Sequence, residues 1–168
     1  MRNDEFPTVS DADKFATYLT TEFDDLADTP SINVRRDVEQ MLARIVDAAL
    51  DNDLAKTAKF YSFPVGFVRP TGFKLLHSVE ELCEETGPAF SAYRAQGVRA
   101  ITNDLLQLCS YSPVMARAEV RWDHLDRKGA VLRSLYSTLI MRWQGDRYRI
   151  VLHMVHNEFL EPHTSATM

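Results

Sequence analysis

Between Val114 and Phe159, apolar and polar residues alternate in three consecutive runs, the period of strands whose side chains point to opposite faces. Val114, Ala116, Ala118, Val120, Trp122 and His124 share one face of the first run, and Tyr148, Ile150, Leu152, Met154 and His156 share one face of the last. The middle run can be tested against both neighbours through its two turns. A tight turn at Gln144-Gly145 that pairs Trp143 with Asp146 sets Met141 beside Tyr148, Leu139 beside Ile150, Leu135 beside Met154 and Arg133 beside His156. A turn over Asp126 to Gly129 that pairs Leu125 with Ala130 sets Leu135 beside Val120, Leu139 beside Ala116 and Arg133 beside Trp122. Both turns select the same apolar face. Arg117, Glu119, Arg121, Tyr136, Arg142, Arg149 and His153 fall on the other, so the pattern predicts a sheet buried on one side.

Upstream the period changes to that of helices. Phe15, Tyr18, Leu19, Phe23 and Leu26 follow a capping-box-like Ser10-Asp11-Ala12-Asp13 and predict an amphipathic helix, ended by Asp28-Thr29-Pro30-Ser31. A stronger stripe of Val34, Val38, Met41, Leu42, Ile45, Val46 and Ala49 predicts a helix lying on the sheet, and Asp51-Asn52-Asp53 caps a short second one carrying Leu54, Ala58 and Tyr61, stopped by Phe63-Pro64. Val65 to Val68 and Phe73 to Leu76 read as short strands around Arg69-Pro70-Thr71-Gly72. A helix follows the capping box Ser78-Val79-Glu80-Glu81, with a kink or a division into two helices expected at Gly87-Pro88. Val98 to Tyr111 is the first long strand. The adjacent Leu105 and Leu106 leave its register open between two faces, which a bulge would reconcile.

Composition narrows the function classes. A chain of 168 residues, 45% hydrophobic and 26% charged, has the size of one globular domain. Its net charge of −5 argues against a nucleic-acid partner, whose phosphates require a basic footprint. Cys83 and Cys109 have no CxxC spacing, and the two histidines of His153-Met154-Val155-His156 would point to opposite faces of a strand, so neither a disulfide framework nor a metal site is expected. The N-terminal residues have no signal-peptide character and no apolar run is long enough for a membrane span; a cytoplasmic protein is expected.

The order long helix, short helix, two short strands, helix and four long antiparallel strands resembles the nuclear-transport-factor-two-like superfamily, which includes the SnoaL-like polyketide cyclases and ketosteroid isomerase. The resemblance spans about Asn33 to Phe159 and is carried locally by Ala48-Ala49-Leu50-Asp51-Asn52-Asp53-Leu54 and by Trp143-Gln144-Gly145-Asp146-Arg147-Tyr148-Arg149-Ile150. It implies an α+β cone, a roll of curved antiparallel sheet packed against about three helices, at residues 31–160; the helical pattern of residues 1–30 is then expected to form an N-terminal extension outside the cone, and 161–168 a flexible tail. Anchored on Asp53-Leu54, the isomerase's oxyanion tyrosine falls on Ile45 and its general-base aspartate on Arg69, just before Pro70. A guanidinium stays protonated and cannot abstract a proton, so isomerase chemistry in that form is not expected.

On the derived pocket face Trp122, Arg133 and His156 share one rung and His124 stands one step further. Two histidines and an arginine around one cavity suit cofactor-independent acid-base chemistry on a carbonyl or hydroxyl compound, of cyclase, dehydratase or isomerase type. His156, His124 and Asp104 are the candidate catalytic residues, Asp104 only in one of its strand's two registers; otherwise it faces solvent. Arg133, Trp122, Arg69, Tyr61, Tyr148 and Met154 are the candidate substrate-binding residues, with Phe90 and Tyr93 as further wall or core. No cofactor is implied. The expected ligand is small and hydrophobic or aromatic, and the expected protein partner is a second copy paired through the polar sheet face, where Tyr136, Ile140, Val151, His153 and Val155 interrupt the charges. The competing reading is a non-catalytic binding or dimer-forming module, with the histidines at a solvated rim.

Overall fold

The computed structural model describes residues 33–51 and 53–156. The helix expected within residues 1–30, the tail at 161–168 and His163 lie outside them. Asn33 opens the first described helix, α1 (Val34–Leu50), by accepting the Arg36 N–H on its side chain at 3.0 Å. The expected stripe is the buried one, with Val38, Met41, Leu42, Ile45, Val46 and Ala49 turned inward. Asp53 caps the short α2 (Leu54–Ala58) in the same way. The helix ends before Tyr61, which the sequence pattern had assigned to it. Tyr61 instead begins β1 (Tyr61–Arg69), with the cis Phe63–Pro64 bond inside the strand, and β2 (Gly72–Leu76) returns antiparallel to it.

Ser78 caps α3 (Val79–Ala95), and Glu81 reaches back to the His77 N–H at 2.7 Å. The helix runs unbroken through Gly87-Pro88, where a kink or a division was expected. Four long strands follow, β3 (Ala100–Ser112), β4 (Met115–Leu125), β5 (Val131–Trp143) and β6 (Tyr148–Val155). The curved six-stranded sheet has the order β2-β1-β6-β5-β4-β3. All neighbours are antiparallel except β1 and β6, so the sheet is mixed.

The registers decide which residues face the helices. Both turns are longer than the tightest ones the pattern allows. Asp126 N–H donates to the Ala130 carbonyl at 2.9 Å, and its side chain accepts from the N–H groups of Lys128 and Ala130, while Trp143 pairs with Tyr148 across residues 144–147. On β4 and β5 the turn moves the pairing by one position, setting Leu125 opposite Val131, and a bulge at Leu132 moves it by one more, so Trp122 stands opposite Leu135 and His124 opposite Arg133. An even shift keeps the same face inward. The β6 strand differs. Met141 pairs with Ile150, but Ile140 pairs with Leu152, so Val151 is an extra, bulged residue and the parity of everything after it is reversed. His153 and Val155 turn to the concave face; Leu152, Met154 and His156 turn to the convex one. The β3 ambiguity is resolved by a bulge at Leu106, which places Ile101, Asn103, Leu105 and Leu108 opposite the inward residues of β4.

The core fills the concave side. Leu139, Met141, Val120, Tyr148 and Ile150 from the sheet meet Val38, Leu42 and Ile45 of α1 and Leu82 of α3. Trp143 packs edge-on to Tyr148 with ring centroids 5.2 Å apart, and the Tyr148 hydroxyl donates to the Pro113 carbonyl. Leu139 is wholly buried at the middle of this cluster. Leu139→Ala is therefore expected to cost about 2–5 kcal/mol in urea unfolding; a loss below about 1 kcal/mol would place Leu139 outside the core.

Candidate functional site

Toward the Asp126 end of the sheet the core is incomplete and leaves a cavity of about 130 Å³. Ile45, Val46 and Ala49 of α1 and Leu82, Phe90 and Tyr93 of α3 close one side, while Ile101, Trp122, Leu135 and Val155 close the other. The space suits one ring, since a dry apolar cavity of about 150 Å³ takes up benzene. Polar atoms are few, and each has an identifiable position.

The central pair is Tyr61 and His153, placed together because β1 and β6 run side by side there. The Tyr61 hydroxyl and His153 Nδ1 are 2.9 Å apart, and the Phe67 ring lies against the imidazole with centroids 4.8 Å apart. Burial raises the Tyr61 pKa, so the phenol keeps its proton across the ordinary pH range. Burial, reinforced by the nearby Arg69 and His156, pushes His153 down to about 3, so its imidazole is neutral. Two neutral groups joined by one hydrogen bond suit a cavity that offers little solvation to charge.

His124 is the second imidazole. It is 3% exposed, its ring packs on Tyr93 at 4.6 Å, and its Nδ1 is buried with no hydrogen-bond partner. Burial and the neighbouring Arg133 push it down to about 4, against a smaller opposing effect of Asp123. Trp122 Nε1 donates to Ser137 Oγ at 2.8 Å, which satisfies both groups beside the imidazole. Arg69 lines the cavity from β1, with its guanidinium 5.3 Å from the centre of the Phe67 ring, Nε 3.4 Å from the Glu85 carboxylate and Nη2 donating to the Glu85 carbonyl. Lys74 pairs with the same carboxylate. No Asp or Glu is among the described residues that line the cavity.

A family model described as "NTF2-like protein (DUF6841)" matches residues 34–158, three quarters of the chain and all of the sheet. The chain belongs to this NTF2-like family. Solved structures agree on the fold. A protein of unknown function with a cystatin-like fold from Nostoc punctiforme superposes with a TM-score of 0.61 at 12% identity, covering 77% of this chain and 80% of that one. A structure from Catenulispora acidiphila in complex with S-DNPA gives 0.58 at 16% identity, covering 75% and 94%. A ketosteroid isomerase-like protein from Erwinia carotovora atroseptica gives 0.52 at 10% identity, covering 75% and 96%. At such identities the likeness concerns the fold alone. No curated protein matches the chain.

Within the NTF2-like cone, Tyr61, Arg69, Trp122 and His124 line the cavity. Five residues expected beside them do not. His156 lies on the convex face with Nε2 2.9 Å from the Thr138 hydroxyl, because the Val151 bulge reverses its side of the strand. Met154 is turned outward by the same bulge, beside Val68 and Thr138. Asp104 faces out and pairs with Arg121, since the Leu106 bulge leaves it on the convex side. Tyr148 is sealed in the core near Pro113. Arg133 stands outside the lining, over the Tyr93 ring at 4.8 Å. Ile45 and Arg69, the positions on which the resemblance lays the isomerase's tyrosine and aspartate, both line the cavity. Strict alternation puts His153 on the polar face. The run Ile150-Val151-Leu152, three apolar residues without a break, was the available sign of a bulge.

The two depressed histidines link the site to stability. The unfolded chain takes up protons near pH 6.5, whereas these folded imidazoles do so only near 4 and 3, so their contribution is complete above pH 6.5 and is lost as the pH falls. Each should cost about 1.4 kcal/mol between pH 7.5 and 5.5, above the range of ordinary carboxylates. Urea unfolding at the two pH values measures this, and His124→Gln should remove about half of the difference. A difference unchanged in His124→Gln would show that this imidazole is not held neutral.

Proposed function

We propose that this NTF2-like chain binds a small ring carrying a carbonyl or hydroxyl oxygen and rearranges it without a cofactor, by cyclase-, dehydratase- or isomerase-like chemistry. The observation that carries the reading is the Tyr61–His153 hydrogen bond at the wall of an apolar, ring-sized cavity. With His153 Nδ1–H donating to the phenol oxygen, the phenol proton is directed to the ligand oxygen, where negative charge would develop. His124, with Nδ1 unpaired, is the group that takes a proton from a ring carbon and returns it. In the empty cavity it is a weak base. Charge appearing on the ligand oxygen would raise its basicity, because opposite charges attract strongly where water is excluded.

The second reading, a non-catalytic binding module, is favoured by one observation: no carboxylate is among the described lining residues, and both imidazoles are poor bases. Probes of known chemistry separate the two. Cyclohex-2-enone and toluene should both bind, followed by the ring signals of Trp122 and the histidines. Tyr61→Phe should weaken the enone about tenfold, the loss of roughly one hydrogen bond, and leave toluene unchanged. Incorporation of deuterium into the enone, faster with the protein and abolished by His124→Gln, supports the enzyme; binding without exchange leaves the module reading ahead. Equal loss of both probes in Tyr61→Phe would remove the tyrosine's role.

We also propose that two copies pair through the convex sheet face. Leu152 and Met154 take the places there that His153 and Val155 were expected to hold, and Phe73, Leu75 and Tyr136 are exposed on it. Light scattering at micromolar concentration should give twice the chain mass; a monomeric mass overturns the pairing.

A further inference from the structure

A second concavity, of about 480 Å³, lies where the end of α1, the end of α3 and the start of β3 meet. Leu50, Arg94, Ala95, Val98 and Arg99 line it alone, but Ala49, Phe90, Tyr93 and Ile101 line both it and the inner cavity. The two spaces therefore share a wall. That wall includes two aromatic side chains in edge contact, Phe90 and Tyr93, with ring centroids 6.1 Å apart. A ligand that enters the cavity past this pair would leave its remaining atoms in the outer groove.

The charge of that groove is opposite to that of the chain. The chain carries −5 overall, yet Arg94 and Arg99 line the groove and Arg133 lies over Tyr93. Arg99 Nη1 is held by two backbone carbonyls, those of Val98 at 3.0 Å and Arg94 at 3.4 Å, which fixes the guanidinium without neutralising it. Seven other described arginines are matched to carboxylates, as in Arg35–Glu39, Arg121–Asp104 and Arg147–Asp146. Among the described residues no carboxylate forms an ion pair with Arg94, Arg99 or Arg133. The inner cavity has the reverse character: its walls are mostly apolar, its two imidazoles are neutral and the guanidinium on its wall, Arg69, is already matched to the Glu85 carboxylate, so an anion inside it would lose its hydration without an adequate replacement.

We infer that the ligand is a two-part molecule, a single ring bearing a short chain that ends in a carboxylate, with the ring in the inner cavity and the carboxylate on Arg94 and Arg99 in the outer groove. This rests on the reading of the cavity as a ring site and adds the substrate class. The separation also explains how a cavity of about 130 Å³ can serve a larger molecule: only the ring needs to be enclosed. Guanidinium groups at the rim recognise a carboxylate through paired N–H donors while remaining solvated, so the gain is moderate and sensitive to salt.

The test uses the full chain and three probes, 4-phenylbutyrate, the matched neutral 4-phenylbutan-1-ol, and toluene, titrated calorimetrically at low and at high salt. The butyrate is expected to bind about tenfold more tightly than the alcohol at low salt, a preference of about 1.4 kcal/mol. That preference should shrink at high salt and vanish in the Arg94→Gln, Arg99→Gln double variant, while toluene binds both proteins equally and so shows that the variant is folded. Equal binding of butyrate and alcohol to the unaltered protein overturns the inference, as does a preference that survives in the double variant. In either case, toluene binding would leave the cavity reading intact. If no probe binds, the cavity reading fails and the inference fails with it.

Discussion

The position of Val151 in the β6 ladder governs the rest of the site. One extra residue between Ile150 and Leu152 lets two incompatible demands be met on a single strand. At its start, β6 must put Tyr148 and Ile150 into the core against α1. Further along, where the helices no longer fill the concave side, the reversed parity brings His153 and Val155 to the cavity and sends Met154 and His156 out. Without the bulge, Leu152 would stand opposite Leu139 in the place of His153. The phenol would then lack its buried partner, a cost of about 1–3 kcal/mol for an unsatisfied polar group.

Desolvation is the second organising effect, and it acts on stability and chemistry in the same direction. Tyr61, His124 and His153 are kept in their neutral forms by their surroundings rather than by compensating charges. Neutral groups tolerate both a dry cavity and one filled by an apolar ring. They remain able to donate and accept hydrogen bonds, so the same burial that weakens the imidazoles as bases strengthens their interaction with an oxygen that acquires charge. The described charged groups are kept to the periphery: Arg69 is held to Glu85 at one edge, and Arg133 stands above Tyr93 at the other.

Membership of the NTF2-like family accounts for the frame and leaves the chemistry to individual side chains. Ile45 and Arg69 stand on the cavity wall, and neither side chain can act as a hydroxyl donor or a carboxylate base. The polar pair of this cavity lies on β1 and β6, where parallel neighbours bring Tyr61 and His153 together from distant parts of the sequence. In such a cone the wall positions are fixed by the sheet and helices, while the residue types placed there can be exchanged with little effect on the frame.

Much of the frame was legible in the residues alone. The apolar stripe from Val38 to Ala49, the caps at Asp53 and Ser78, and the alternation along β4 and β5 depend on interactions within a few residues or on the period of one element, and those quantities are written in the sequence. The inward face of β4 and β5 agrees with the expectation because the pairing is offset by two positions on each side of β5, by the turn plus a bulge at Leu132 on one side and by the turn alone on the other, and an even shift preserves parity. What the sequence could not decide was where the period of two breaks. The bulges at Leu106 and Val151 depend on how a curved sheet fits the helices packed on it, a condition set by side chains far apart in the chain. The sequence by itself therefore determined the elements, the buried face and the inward positions of Trp122 and His124. Only the tertiary structure decided that His153 rather than His156 meets the cavity, that Asp104 does not, and that Tyr61 stands within hydrogen-bonding distance of an imidazole 92 residues away.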